Sequence, residues 1–179
     1  MFHAVIIWLI FLQSITFSGK MSTSSGYIRF FSEAPLENIE AINNNVKAAI
    51  DLSTGDLLFI APIKEFVFEK NLMQKHFNQQ YMESDKFPEA RFVGKIKNIS
   101  NITRERPTEH QITGELTIHG VTKIINEKAY LQFHDEYLSG SSKFKVRTAD
   151  FDIKIPRILI MNIAEEIEIT IEVKFKPVK

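Results

Sequence analysis

Cysteine is absent from the 179 residues of this chain. Its absence excludes disulfide bonds, thiol catalysis, metal sites with cysteine ligands and a lipoprotein anchor on a cysteine. Net charge is also absent, because 22 basic residues balance 22 acidic residues. A nucleic-acid-binding protein would carry a basic patch or stripe. The composition therefore argues against nucleic acid as a partner.

Long apolar runs and compact catalytic motifs are missing as well. From residue 20 onward no window approaches the roughly 18 apolar residues of a membrane-spanning helix. The sequence contains no Gly-x-Ser-x-Gly elbow and no phosphate-binding or dinucleotide-binding glycine pattern. Histidines lie at positions 3, 76, 110, 119 and 134, and no two of them have the spacing of a metal motif. A metal or hydrolase site assembled from distant strands, such as His76 with His119, stays open as an alternative.

The first residues do carry one apolar run, at positions 4–12, followed by small and polar residues. This pattern is typical of a secretory signal peptide with cleavage near Ser18 or Gly19. We therefore expect a signal peptide at 1–19, a single domain at 20–179, and a periplasmic or secreted bacterial protein. Because no lysine or arginine precedes the run, the alternative is that Met21 is the true initiator.

The rest of the chain alternates between apolar and polar residues, most clearly at its end, where Ile167, Ile169, Ile171, Val173 and Phe175 share one face. Such alternation is typical of antiparallel strands with one dry and one wet face. Residues 71–82 instead have helical spacing. The pattern predicts an all-β, closed antiparallel barrel of about eight strands with one short helix. A β-sandwich is the alternative.

Local signals give three narrower predictions. A first strand is predicted at residues 27–32. The three asparagines at 43–45 predict a turn. Asn71 is predicted to cap the helix, on which Met73 and Phe77 share one face.

Three segments carry a resemblance to a known family. Residues 72–77 read Leu-Met-Gln-Lys-His-Phe, residues 84–94 read Ser-Asp-Lys-Phe-Pro-Glu-Ala-Arg-Phe-Val-Gly, and residues 114–123 read Gly-Glu-Leu-Thr-Ile-His-Gly-Val-Thr-Lys. In this order and separation they resemble the YceI-like family, and the resemblance covers most of the chain after about Gly26. It implies a lipocalin-like barrel that binds a long apolar lipid, with polyisoprenoid as the ligand type and no cofactor.

An eight-stranded barrel either holds one small ligand or is filled by its own side chains. The resemblance favours a cavity, and the filled structural barrel is the alternative. No catalytic residue, metal or membrane span is predicted, and a homodimer is left open. His76 is predicted to border the mouth of the pocket. The predicted apolar pocket residues are Phe30, Phe59, Phe66, Phe68, Met73, Phe77, Phe92, Leu116, Ile118, Leu131, Phe133, Phe144, Val146, Ile169, Ile171 and Val173.

Overall fold

The computed structural model describes residues 19–33, 38–155 and 166–178. Eight strands close into one antiparallel barrel in the order β1-β9-β8-β7-β6-β5-β3-β2, and β2 pairs with β1 to complete the ring. A ninth, two-residue strand, β4, pairs with β2. The strands are β1 (Lys20–Ser32), β2 (Ile39–Asp51), β3 (Asp56–Pro62), β4 (Val67–Phe68), β5 (Glu89–Ile96), β6 (Thr108–Ile118), β7 (Val121–Phe133), β8 (Leu138–Arg147) and β9 (Glu166–Pro177). The predicted closed barrel is confirmed.

The predicted helix is also where the spacing places it. An α-helical stretch, α1 (Asn71–His76), continues directly into a π-helical turn, Phe77–Tyr81. The predicted cap is wrong. Lys70, in an extended conformation, occupies the N-cap position without a side-chain hydrogen bond, and Asn71 is already the first helical residue.

Two predictions near the start of the barrel need correction. Strand β1 begins at Lys20 rather than at residue 27, because its pairing with β2 extends through a serine- and threonine-rich stretch that has no alternation of its own. The asparagines at 43–45 do not form a turn between strands but lie inside β2, beside an irregularity in its register with β1. Asn43 is fully buried there. Its Nδ2 donates to the carbonyl of Pro62 at 2.8 Å, and its Oδ1 accepts from the Asn45 amide at 2.8 Å.

The two ends of the barrel differ. At one end, which we call the closed end, four side chains have relative exposures between 0% and 2% and plug the interior: Met21, Ile50, Leu138 and Phe175. At the other end, the helix end, the chain between β3 and β5 carries α1. The β6–β7 hairpin and the last residue of β8 reach the same helix end.

The ladders of the barrel wall are interrupted at more than one place. Strand β2 pairs with β3 only from Lys47 to Ile50, and β4 pairs with the rest of β2 only at Ala41 and Ile42. Strand β7 pairs with β6 along the whole length of β6, from the pair Ile118–Val121 to the pair Thr108–Leu131. It pairs with β8 only from Ala129 to Phe133. Strand β8, in contrast, pairs with β9 along its whole length. We call the facing stretches without a ladder, residues 121–128 of β7 and 143–147 of β8, the seam.

Candidate ligand-binding cavity

The barrel interior is hollow. A cavity of about 500 Å³ runs inside it, a volume within the usual range for small-molecule sites. Its lining reaches from Met73 and Phe77 at the helix end to Val173 and Phe175 at the closed end. The alternative of a filled structural barrel is therefore wrong.

The structure brings the predicted pocket residues together. Every one of them except Phe133 lines this cavity, and His76 lines it from α1. Phe133 faces inward but lies at the last pair of β7 with β8, opposite Leu138, where the closed end is already packed. Whether these side chains contact a ligand stays a prediction.

Aromatic rings hold the helix over the barrel. The ring of Phe77 lies 5.4 Å from that of Phe30 on β1 and 4.9 Å from that of Phe68 on β4, measured between centroids. Phe66 completes the cluster at 5.7 Å from Phe77. Such pairs contribute about 0.5–1.5 kcal/mol each beyond their buried area. The helix is thus attached by apolar contacts that a similar apolar ligand could replace.

Few polar groups reach the cavity from the helix. His76 and Tyr81 both line it. Burial raises the pKa of the Tyr81 hydroxyl above its ordinary value, so this group stays a neutral hydrogen-bonding group at physiological pH. A predominantly apolar lining with a few polar side chains is typical of a site for a small molecule.

The other described histidines have local partners. His119 lies with Nε2 at 2.8 Å from Glu83 Oε2 and with Nδ1 at 3.3 Å from the carbonyl of Phe151. His110 contacts Thr108 and a backbone carbonyl, and His134 contacts Ser139. Within residues 19–33, 38–155 and 166–178, no group of three or more histidine, aspartate or glutamate side chains could hold a metal ion. His76 lines the cavity, whereas His119 is not among its lining residues.

Sequence reasoning missed several lining residues. Ile112 and Ile125 follow the strand alternation and could have been chosen from it. Met82, Ile153 and Ile155 lie outside regular strands, so no periodic signal marks them.

The family model of the YceI-like domain matches residues 4–175. The chain belongs to the YceI-like family. None of the curated proteins compared with it matches. In the parts of the chain that the structure describes, no helix has the length and apolar character needed to cross a membrane.

Solved structures share the fold of this YceI-like chain. A polyisoprenoid-binding domain of Saccharophagus degradans, implicated in plant cell wall breakdown, has a TM-score of 0.77 at 9% identity, covering 89% of this chain and 99% of that one. BcnA of Burkholderia cenocepacia has a TM-score of 0.69 at 14% identity, with 82% and 94% covered. A YceI protein of Campylobacter jejuni has a TM-score of 0.66 at 20% identity, with 82% and 90% covered.

The motifs behind the family resemblance lie side by side in this YceI-like barrel. Residues 84–94 lead into β5 and residues 114–123 form the end of β6 with its hairpin, and the two strands pair from Arg91–Thr117 to Ile96–Ile112. The helix motif at 72–77 covers the same barrel end. The motif residues therefore build one continuous section of the cavity wall and its cover.

Proposed function

We propose that this YceI-like protein binds a long-chain apolar lipid, an isoprenoid of quinone or polyprenyl type, and carries or sequesters it. The observation that supports this most is the apolar cavity, which is plugged at one end and covered by a short helix at the other. The fold shared with a polyisoprenoid-binding domain supports the same class of ligand.

The energetics of burial are sufficient without a charged anchor. Burying about 10 methylene equivalents at about 0.8 kcal/mol each contributes about 8 kcal/mol. Association costs reduce that figure, so ten equivalents alone bind more weakly than the micromolar affinity that about 8 kcal/mol would give, and a longer chain binds more tightly because it buries more. Binding without catalysis is the activity we assign.

A matched pair of alanine substitutions tests the proposal. Ala129 is buried and lines the cavity from β7, whereas Ala49 faces outward on β2. We expect wild-type protein and Ala49→Phe to take up geranylgeraniol, observed as a mass increase in native mass spectrometry. Ala129→Phe places a ring in the cavity and is expected to weaken uptake at least about tenfold. No uptake by the wild type, or equal uptake by both variants, would contradict the proposal.

We also propose export to the periplasm or beyond, with the first 19 residues removed. Residues 1–18 lie outside the described residues, so this rests on the sequence pattern and is tested separately. The intact mass of protein recovered from the periplasmic fraction is expected to lack the signal. Cytoplasmic protein whose intact mass begins at Met21 would favour the start at Met21.

A further inference from the structure

The seam is one of the places in the barrel wall where neighbouring described strands lack a ladder. The β7–β8 ladder ends at the pair Ala129–Ser142. Just beyond it the Ser142 hydroxyl donates to the carbonyl of Lys128 at 2.7 Å. Nearer the helix end the two strands face each other without paired backbone. The cavity extends to both sides of this gap, since Ile125 on β7 and Phe144 on β8 line it.

By strand register, two charged residues face the barrel interior at the seam, although the charged residues that line the cavity itself are Arg91 and Arg147. Cross-strand register shows which positions face the barrel interior. In the described barrel strands these positions hold apolar, small or uncharged residues, apart from the hydrogen-bonded His110 and two residues of β7. Those two are Lys123, opposite the buried Leu116, and Glu127, opposite the buried Ile112. Both lie within residues 121–128, the unpaired half of β7.

An inward-facing charge next to an apolar wall is costly unless it has a polar partner. Among the described residues neither side chain takes part in an ion pair, and Lys123 is exposed while Glu127 is half-buried. Burial raises the pKa of the Glu127 carboxyl above its ordinary value. Burial therefore favours the protonated form of this carboxyl, which can donate a hydrogen bond as well as accept one.

A short turn lies across the seam on the side of the helix end. The 3₁₀ turn Thr148–Phe151 follows β8 and packs against both β7 and β8. Phe151 is 3% exposed and lines the cavity. Its carbonyl is the group that contacts His119. The seam thus lies between the β7–β8 ladder and this turn, and its backbone is unpaired at the level of Lys123 and Glu127.

We propose that the seam is the subsite for the polar end of the ligand, with Lys123 and Glu127 as the side chains that hold it. The apolar chain then lies in the cavity, and the polar end leaves the barrel sideways between β7 and β8 rather than beneath α1. The chemical class is a lipid whose polar end carries an oxygen acceptor, such as a hydroxyl or a carbonyl. This inference rests on the proposed lipid binding and adds the position and the chemistry of the ligand's polar end.

Two ligands of equal length test the subsite: geranylgeraniol and the C20 hydrocarbon that lacks its hydroxyl. A hydrogen bond to a charged group contributes about 1.5–3 kcal/mol, so we expect wild-type protein to bind the alcohol about tenfold or more tightly than the hydrocarbon. Lys123→Met and Glu127→Leu are expected to remove that preference and to leave hydrocarbon affinity unchanged. Lys47→Met, on the outer face of β2, is the matched control and is expected to keep the preference for the alcohol. Thermal melts confirm that each variant is folded.

A photoreactive group next to the hydroxyl gives an independent positional readout. We expect cross-links to peptides containing residues 121–128, and cross-links confined to residues 71–82 would overturn the lateral placement. Equal binding of alcohol and hydrocarbon by the wild type, or an unchanged preference in Lys123→Met, would overturn the subsite while lipid binding stands. If the two charges only protect an open strand edge, Lys123→Met would keep the preference for the alcohol. Binding of neither ligand would refute lipid binding, and the subsite with it.

Discussion

Gly94 and Gly114 lie directly opposite each other on β5 and β6, and the ring of Phe92 occupies the space that their side chains would fill. The Phe92 ring carbon Cζ is 2.5 Å from where a β-carbon on Gly94 would lie, and 2.9 Å from one on Gly114. Because both glycines face inward, the ring lies along the wall instead of across the cavity. The glycines of the two family motifs therefore keep the interior open.

Gly114→Ala is expected to destabilise the barrel by about 1–3 kcal/mol, the usual cost of overpacking. The new methyl group would meet backbone atoms of Val93 and Gly94 as well as the ring, and backbone cannot rotate away. Urea unfolding measures the change. Gly140→Ala is the control, because its methyl group would meet only side chains, at 3.0 Å or more. Equal losses in both variants would contradict the explanation.

His119→Ala is expected to lower the free energy of unfolding by about 1–2 kcal/mol, as two hydrogen bonds to buried or charged partners are lost. The imidazole also packs on the Phe87 ring at 4.5 Å between centroids. Hydrogen exchange should therefore speed up in residues 82–88 and 148–151. His134→Ala is the control, because this histidine stacks on Tyr137 near the closed end. Faster hydrogen exchange at residues 82–88 in the control variant would contradict a local role for His119.

Asn43→Ala is expected to cost about 1–3 kcal/mol, because it leaves the Pro62 carbonyl and the Asn45 amide without their partner. The neighbouring Asn44 is exposed, so Asn44→Ala should change stability by less than about 0.5 kcal/mol. Chemical denaturation measures the free energy of unfolding of the two variants. Similar stabilities would mean that water replaces the Asn43 side chain.

Glu127 and Glu40 are predicted to affect stability with opposite dependence on pH. Burial raises the pKa of Glu127, so the folded protein binds this proton more tightly than the unfolded chain. Stability is then lost as pH rises from the ordinary value near 4.5 through the folded pKa. Glu127→Gln should be more stable than wild type at pH 7, with the difference shrinking below pH 4.5.

Glu40 supplies the matched comparison. A hydrogen bond from Arg29, at 2.6 Å, lowers the pKa of the Glu40 carboxyl. The stability that Glu40 contributes is present above its ordinary pKa near 4.5 and is lost as pH falls through the lower pKa of the folded state. Glu40→Gln should therefore reduce stability at pH 7 by a small amount, since the pair is partly exposed. Unfolding curves of lipid-free protein between pH 3 and 8 measure both effects, and changes of the same sign would refute the assignment.

The sequence was sufficient for the parts of the fold that depend on side-chain periodicity. The alternation from Ile167 to Phe175 appears in β9, and the spacing of Met73, Phe77 and Tyr81 places all three on the cavity side of the helix. The pocket residues chosen from alternating faces line the cavity for the same reason. An inward face is a property of local register, which the residues themselves encode.

Features that depend on pairing between strands were not predictable. The serines and threonines before Gly26 carry no alternation, yet β2 and β9 pair with them and extend β1. Asn43 looks like a turn residue until its contact with Pro62, 19 positions away, is known. The seam was not predictable either, because it depends on where β8 diverges from β7, and residues 121–128 carry no signal of that divergence.

The interior is closed at one end by a plug of four side chains, Met21, Ile50, Leu138 and Phe175. The depth of the cavity therefore limits the length of chain that can be buried. For the proposed prenyl ligand, each isoprene unit added to a short chain can still be buried, so affinity should rise step by step. Once the end of the chain contacts the plug, further isoprene units have to remain in water, and the affinity should stop rising. The depth of the barrel, rather than any one contact, then decides which chain lengths the protein prefers.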